Sequence, residues 1–316
     1  MIEQLTHLRM SALRYYPEFI DNRQSFEMTR QFLQDRLVSC TSATYFEHDN
    51  RICAGWLESF EDCPNFGTPV TLVVLLADPA DESAINWLRK EAARRSGHFA
   101  SNTELLLDAP YEMLLPDLVR AGLHVESVIL HGCPTKALDL LGRDRPDFGR
   151  YGLECRRLTD YAEVEAVMNL QERLFGANPE YGWFVALPGH LRAKREELMQ
   201  ELEDGSPFRF VLFRDNRLLG TFAFTPAFDH PFWGAMASVE VMLDPEIQRQ
   251  GVGREAYREM LLAMETANIE VFRGGTSHPA VLKLSERMGR QLRAWEVRAG
   301  ERMFSDEHFR YPKTSL

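Results

Sequence analysis

The chain of 316 residues is 45% hydrophobic and 26% charged, ordinary for a soluble globular protein; it fills about two domains of ~150 residues each and excludes extensive disorder. A net charge of −11 argues against a nucleic-acid-binding surface, because phosphate recognition wants a basic face, and is compatible with a cationic or amine-bearing partner. The five cysteines (Cys40, Cys53, Cys63, Cys133, Cys155) form no zinc-spaced group, the N-terminus lacks a basic segment followed by an apolar run, and nothing approaches the ~20 apolar residues of a membrane span, so the expectation is a cytoplasmic protein with reduced thiols, no metal and no membrane contact.

The first predicted elements are two strands within 43–57, joined by the turn pair Asp49-Asn50. The apolar strand Val70–Ala77 follows and stops at Asp78-Pro79, ahead of a helix whose first turn carries Asp81 and Glu82. Leu118-Val-Arg-Ala-Gly122 then leads into the strand His124–Leu130, and the Gly/Pro/Asp/Arg-rich stretch 142–150 reads as a linker. Beyond it the series recurs. Two strands flank Asp215-Asn216, the strand 238–243 stops at Asp244-Pro245, a helix carries Arg254–Glu265, and Ser285-Glu-Arg-Met-Gly289 precedes a strand at 291–297. Asp49 and Asp215 lie 166 residues apart, Asp78 and Asp244 also 166, and Gly122 and Gly289 167. Three anchors at nearly one offset predict a tandem duplication of an α+β unit, with one domain at 1–141 and a second at 151–316.

In the second copy Gly251 and Gly253 fall between strand and helix. Glycine permits positive φ and removes the Cβ that would block a ligand, so successive N–H groups can converge on phosphate oxygens at the positive end of the helix. A Rossmann fingerprint would need a third glycine in Gly-x-Gly-x-x-Gly, and a P-loop would need Gly-Lys-Ser/Thr; neither is present.

Gln248-x-x-Gly251-x-Gly253, after a strand and before a helix, resembles the Gln/Arg-x-x-Gly-x-Gly/Ala signature of the GNAT acetyltransferase superfamily. The resemblance implies that each copy has a mixed, mostly antiparallel central sheet flanked by helices. It also implies acetyl-CoA as cosubstrate, with the turn Gln248, Arg249, Gln250, Gly251, Val252, Gly253 and Arg254 holding its pyrophosphate. The backbone of Val241, Met242 and Leu243 would then hold the pantetheine arm and the thioester carbonyl. The expected reaction is transfer of the acetyl group to a primary amine by direct attack on the thioester.

Counting from the shared Asp-Pro, the first copy replaces Gly251 with Ile85, Gly253 with Trp87, Gln248 with Glu82 and Ile247 with Asp81. Bulky side chains and two carboxylates there would repel a pyrophosphate, so the first copy is expected to be degenerate and not to bind acetyl-CoA. Asp81 and Glu82 suit a helix N-terminus on their own account.

Glu240 alternates with Val239 and Val241 and therefore points to the opposite face of its strand. By resemblance it is a candidate base, against the competing reading of an exposed or salt-bridged strand glutamate. His278 stands at the Asn position of the second family segment and reads as a loop residue touching CoA. Ser285 stands where that family usually has a tyrosine acid; its hydroxyl could still bond the CoA sulfur, although it is shorter and less acidic than a phenol. Arg290 replaces the usual Phe, and Tyr257 reads as a packing residue. The acceptor pocket is expected among Glu180–Phe184 and Phe222–Trp233, where aromatics with Glu180, Asp229 and His230 would suit an amine on an apolar or aromatic body. Core packing explains many of these aromatics equally well. Two rival readings stay open: a non-catalytic acyl-CoA-binding or regulatory module, motivated by Ser285, and an acyltransferase with another acyl donor or a hydroxyl acceptor.

Overall fold

The computed structural model describes residues 1–63, 68–100, 102–177, 188–206 and 208–299. Its first half runs α1 (Ile2–Leu13), α2 (Arg23–Val38), β1 (Cys40–His48), β2 (Arg51–Cys63), β3 (Thr68–Ala77), α3 (Glu82–Arg94), β4 (Thr103–Asp108), α4 (Leu115–Arg120) and β5 (Leu123–Gly132). After α5 (Pro134–Leu141) come β6 (Glu154–Arg157), α6 (Tyr161–Ala177), α7 (Pro188–Glu203), β7 (Arg209–Arg214), β8 (Arg217–His230) and β9 (Gly234–Leu243). The chain closes with α8 (Val252–Thr266), β10 (Val271–Thr276), α9 (Pro279–Arg287) and β11 (Gln291–Ala299). The hairpins β1–β2 and β7–β8 turn on Asp49-Asn50 and Asp215-Asn216, all four with φ between 49° and 61°. Two consecutive left-handed residues give the turn whose twist matches that of the strands, which is why Asp-Asn recurs there.

Among the described residues the strands form one eleven-stranded sheet in the order β1-β2-β3-β4-β11-β5-β10-β9-β8-β7-β6. Pairing is antiparallel except between β3 and β4 and between β9 and β10. The order contains an exchange. β11 lies between β4 and β5 of the first copy, and β5 lies between β11 and β10 of the second. Val128 and Trp295, counterparts at the 167-residue offset, are paired with each other, so the pseudo-dyad relating the copies passes between them.

Helices of like rank cover like faces. On one face α1 and α2 pack Leu5 and Leu33 onto Leu57 and Leu76, while α6 and α7 pack Val164 and Leu198 onto Val211 and Met242. On the other, α3 sets Ile85 and Leu88 against Leu75 and Leu107, and α8 sets Ala256 and Met260 against Phe210 and Phe222. Helix α5 gives Leu138 and Leu141 to that last cluster, and the segment after it is laid along α8: Arg258 donates to Gly142 O at 3.1 Å and also to Asp144 O. No helix among the described residues is long and apolar enough to cross a membrane.

Candidate active site

Strands β9 and β10 pair only through Met236–Ser238 and Val271–Arg273, and then part. Beyond that point β9 keeps its β8 partners as far as Leu243, so its other edge borders a cleft of about 560 Å³. Unpaired strand edges offer a row of N–H and C=O groups to an extended ligand. Gly274 fits this parting, since a Cβ there would stand 2.8 Å from the Val239 side chain.

At the end of the edge the chain makes a tight reversal. Asp244 accepts from Glu246 N at 3.0 Å and caps a 3-10 turn over Pro245–Ile247, and Gln248 Nε2 donates to Leu243 O at 2.7 Å. Arg249 and Gly251 are left-handed, with φ of 59° and 103°. The N–H groups of Arg254 and Glu255 return to Gly251 O, whereas those of Gly251, Val252 and Gly253 have no acceptor among the described residues. A Cβ at Gly251 would lie 2.8 Å from the Tyr151 hydroxyl, whereas one at Gly253 would meet only Leu243, at an ordinary 3.6 Å. Packing therefore explains the first glycine, but the second leaves the mouth of the helix bare. Gln250 and Arg254 turn back to Glu246 O and Leu141 O. Arg249 remains exposed beside the turn.

The corresponding place in the first copy is closed from within. Strands β3 and β4 also part beyond Val73 and Leu105, but the Tyr111 side chain, 1% exposed, fills the gap. Its hydroxyl donates to Ala77 O at 2.7 Å and accepts from Ala77 N at 3.2 Å, taking both backbone groups of the residue equivalent to Leu243. Asp81 caps α3 through Ser83 N and Ala84 N, Ile85 is buried in the core, and Trp87 stacks on Phe46 with ring centroids 6.3 Å apart. Asp108, at the end of β4, is bonded by Arg9 and Tyr16. Tyr111→Phe strips the Ala77 groups of their partner in a dry site, and we expect a loss of about 1–3 kcal/mol on urea denaturation. The number of CoA molecules bound per chain is expected to stay unchanged.

In the second copy Glu240 points away from α8, as its alternation requires, and lies under α7. Lys194 Nζ approaches its carboxylate at 2.5 Å and Arg209 Nη1 at 3.3 Å. Burial alone would raise the Glu240 pKa, but the attraction of Arg209 and Lys194 outweighs it and holds the group down at about 2. Glu240 is thus a cleft residue with a salt-bridged carboxylate.

On the α8 side Arg290 enters the cleft. It donates to Gly274 O at 3.0 Å, Leu130 O at 2.8 Å and Ser285 Oγ at 3.1 Å, and it is hydrogen-bonded to Tyr257. Burial pushes the Tyr257 phenol up, against the pull of Arg290. This bears on the expectations for Ser285 and Tyr257. Ser285 is 0% exposed and lies behind Arg290, outside the cleft lining, so its hydroxyl positions a guanidinium and does not face the gap. Tyr257 packs in the core as expected and also lines the cleft.

His278 acts locally, because its Nδ1 accepts from Ala280 N at 3.2 Å and caps α9, as an asparagine would. Val241, Met242 and Leu243 lie on the open edge, and Val241 and Met242 line the cleft. The aromatic segments divide. Phe222 and Phe224 are core, and Trp233 packs with Phe232 against Tyr16 and Phe19 near the end of α1. His230 Nδ1 accepts from Phe232 N at 3.2 Å, so this part of the expected acceptor pocket is a packing junction between the copies. Glu180–Phe184 lies outside the described residues. The sequence reading missed the cleft residues Lys194, Arg273, Glu126, Ser127 and Glu296. One signal was available: the pair Gly274-Gly275 inside a strand marks close approach or a needed opening.

Residues 165–289 match the family model described as Acetyltransferase (GNAT) family. Comparison with curated proteins finds no match. A GCN5-related N-acetyltransferase from Sphaerobacter thermophilus is similar in structure, with a TM-score of 0.58 at 12% identity over 95% of this chain and 94% of that one. A Drosophila protein superposes with a TM-score of 0.50 at 12% identity, over 95% and 96% of the two chains. Both likenesses are of fold and span the two copies together.

Proposed function

We propose that residues 165–289, which match the GNAT family model, form an acyltransferase domain, and that the protein carries the acetyl group of acetyl-CoA to a primary amine in the cleft between β9 and β10. The observation that carries the reading is the continuity of that cleft with the turn at Gly251–Gly253. A strand edge left free among the described residues, suited to the amide groups of a pantetheine arm, runs into three N–H groups at the start of α8 that have no acceptor among those residues, suited to a pyrophosphate.

The residues divide the chemistry between the two sides of the sheet. The free edge of β9 would orient the thioester and offer backbone N–H to the oxygen that gains charge. Arg290, held by Gly274 O, Leu130 O and Ser285 Oγ, would lie beside the departing sulfur and stabilise thiolate; Tyr257, bonded to it, would supply the proton. This pair takes the place that Ser285 leaves vacant. Glu240 stays ionised at any working pH, so it fixes Lys194 and Arg209 electrostatically and needs no proton to act.

The test is thiol release from acetyl-CoA, followed with a thiol reagent, over ethylamine, benzylamine, tyramine and spermidine, alongside calorimetric titration with CoA. One CoA per chain and amine-dependent thiol release are expected. Binding without turnover on any amine would instead support a regulatory acyl-CoA-binding module.

A further inference from the structure

One carboxylate in the cleft, that of Glu296, comes from the strand exchange and is bonded by a neutral hydroxyl, that of Ser127. Glu296 on β11 lines the cleft on the face covered by α6 and α7, the same face as Glu240. β5 lies between β11 and β10, yet the Glu296 carboxylate reaches across it: Oε2 would be 3.9 Å from a Cβ built on Gly275. Any side chain at 275 would stand over that oxygen, so the glycine leaves it open to the cleft. Ser127, paired with Glu296 across β5 and β11, donates to the same oxygen. The register slips by one residue next to this pair, because Ser127 faces Glu296 while Val125 faces Val297. A bulge of this kind re-aims a side chain, here that of Glu126, which also lines the cleft.

Resting on the amine-acetylation reading, we propose that Glu296 is the catalytic base that receives the acceptor's ammonium proton, and that Ser127, carried by the first copy, is its positioning residue. The ammonium gives one proton to the Glu296 carboxylate, and the freed nitrogen lone pair forms the C–N bond to the thioester carbon. Collapse of the adduct breaks the C–S bond. The second nitrogen proton balances the thiolate, through Tyr257, and Glu296 returns its proton to water. The acceptor enters as a cation, received by Glu296 and Glu126 on a wall that the two copies build together.

The groups around Glu296 set the pH at which it works. Burial raises its pKa, Ser127 lowers it, Glu126 on β5 raises it, and Arg298 on β11 and Arg273 on β10 lower it, with a net rise. Glu104 on β4, itself raised by burial, belongs to the same charge field. The rate should fall as pH drops through the raised pKa, because a protonated carboxyl cannot accept.

The experiment compares wild type, Glu296→Gln, Glu296→Asp and Ser127→Ala from pH 5 to 9, using acetyl-CoA with the fastest of the four panel amines. Glu296→Gln is expected to lose about a hundredfold or more in kcat/KM, the scale of a lost general base, and to lose the acidic limb. Glu296→Asp should recover part of the rate. Ser127→Ala should lose less of kcat/KM than Glu296→Gln does and should move the acidic limb to higher pH, because the hydroxyl that lowers the Glu296 pKa is gone. CoA affinity should be unaltered in all three variants, which separates this assignment from the cofactor reading. A Glu296→Gln enzyme that binds CoA and keeps the wild-type pH profile overturns the proposal. If wild type neither acetylates nor binds any of the four amines, the acetylation reading falls and this assignment falls with it.

Discussion

Giving the second copy the first copy's residues, Gly251→Ile with Gly253→Trp, is expected to abolish acetyl-CoA binding. The turn offers three N–H groups without acceptors among the described residues, and hydrogen bonds to charged oxygens contribute about 1.5–3 kcal/mol each. Losing even two of them corresponds to a fall in affinity of about a hundredfold or more, readable by calorimetry. Ile at 251 carries a second effect, because φ of 103° is unfavourable for a β-branched residue and its Cβ would press on Tyr151. Gly253→Trp alone avoids this, since the nearest atom to a Cβ at 253 is an ordinary 3.6 Å away. A single variant that melts like wild type and binds CoA within threefold of it would remove the turn from the binding site.

The second large effect is on stability, at Glu240. Its carboxylate, 31% exposed, serves Lys194 and Arg209, which are 8% and 2% exposed. Glu240→Gln removes the charge between two buried cations. Breaking a buried pair from one side costs about 3–5 kcal/mol, and we expect about 3, because Arg209 keeps Glu201 and Lys194 keeps Glu197. The pH dependence has a definite sign. The folded-state pKa of about 2 lies below the ordinary 4.5, so the stabilisation is fully present above pH 4.5 and fades as pH falls from there towards 2. Urea midpoints of wild type and variant should differ most at neutral pH and converge in that acid window. The acidic limb of the rate profile should survive in Glu240→Gln, in contrast to Glu296→Gln.

What the residues disclosed in advance follows from locality. The Asp-Asn turns, the strands that stop at Asp-Pro and the Gly251–Gly253 junction are written in contiguous residues, and each forms where its spacing predicts. Comparing the two copies also exposed the degeneracy of the first, through Ile85 and Trp87. Tyr111 seals that copy by a different route, across 34 positions of chain, which no local pattern announces. The exchange of β5 and β11 was equally illegible: alternation tells a strand which face to bury, not which partner to choose. Ser285 and Arg290 were both noted as departures from the family pattern, yet only their 3.1 Å contact explains them as one unit. Glu240 was legible by face, but its partners Lys194 and Arg209 come from a helix and a strand whose contact with it depends on tertiary packing.

The exchanged strands also set a schedule for synthesis. β5 ends at Gly132 and its neighbour β11 begins only at Gln291, so at about 5–20 residues per second the ribosome delivers the second some 8–32 seconds after the first. For that interval β4 has an open edge on the side where β11 will insert, and β5 has yet to gain both of its neighbours, β10 and β11. Open apolar edges recruit other strands, including those of neighbouring nascent chains. The sheet order β4-β11-β5 is thus reached only after the end of the second copy has been made. Insertion of β11 between β4 and β5 is therefore a late, long-range step, and the yield of the chain in the cell should follow from that delay.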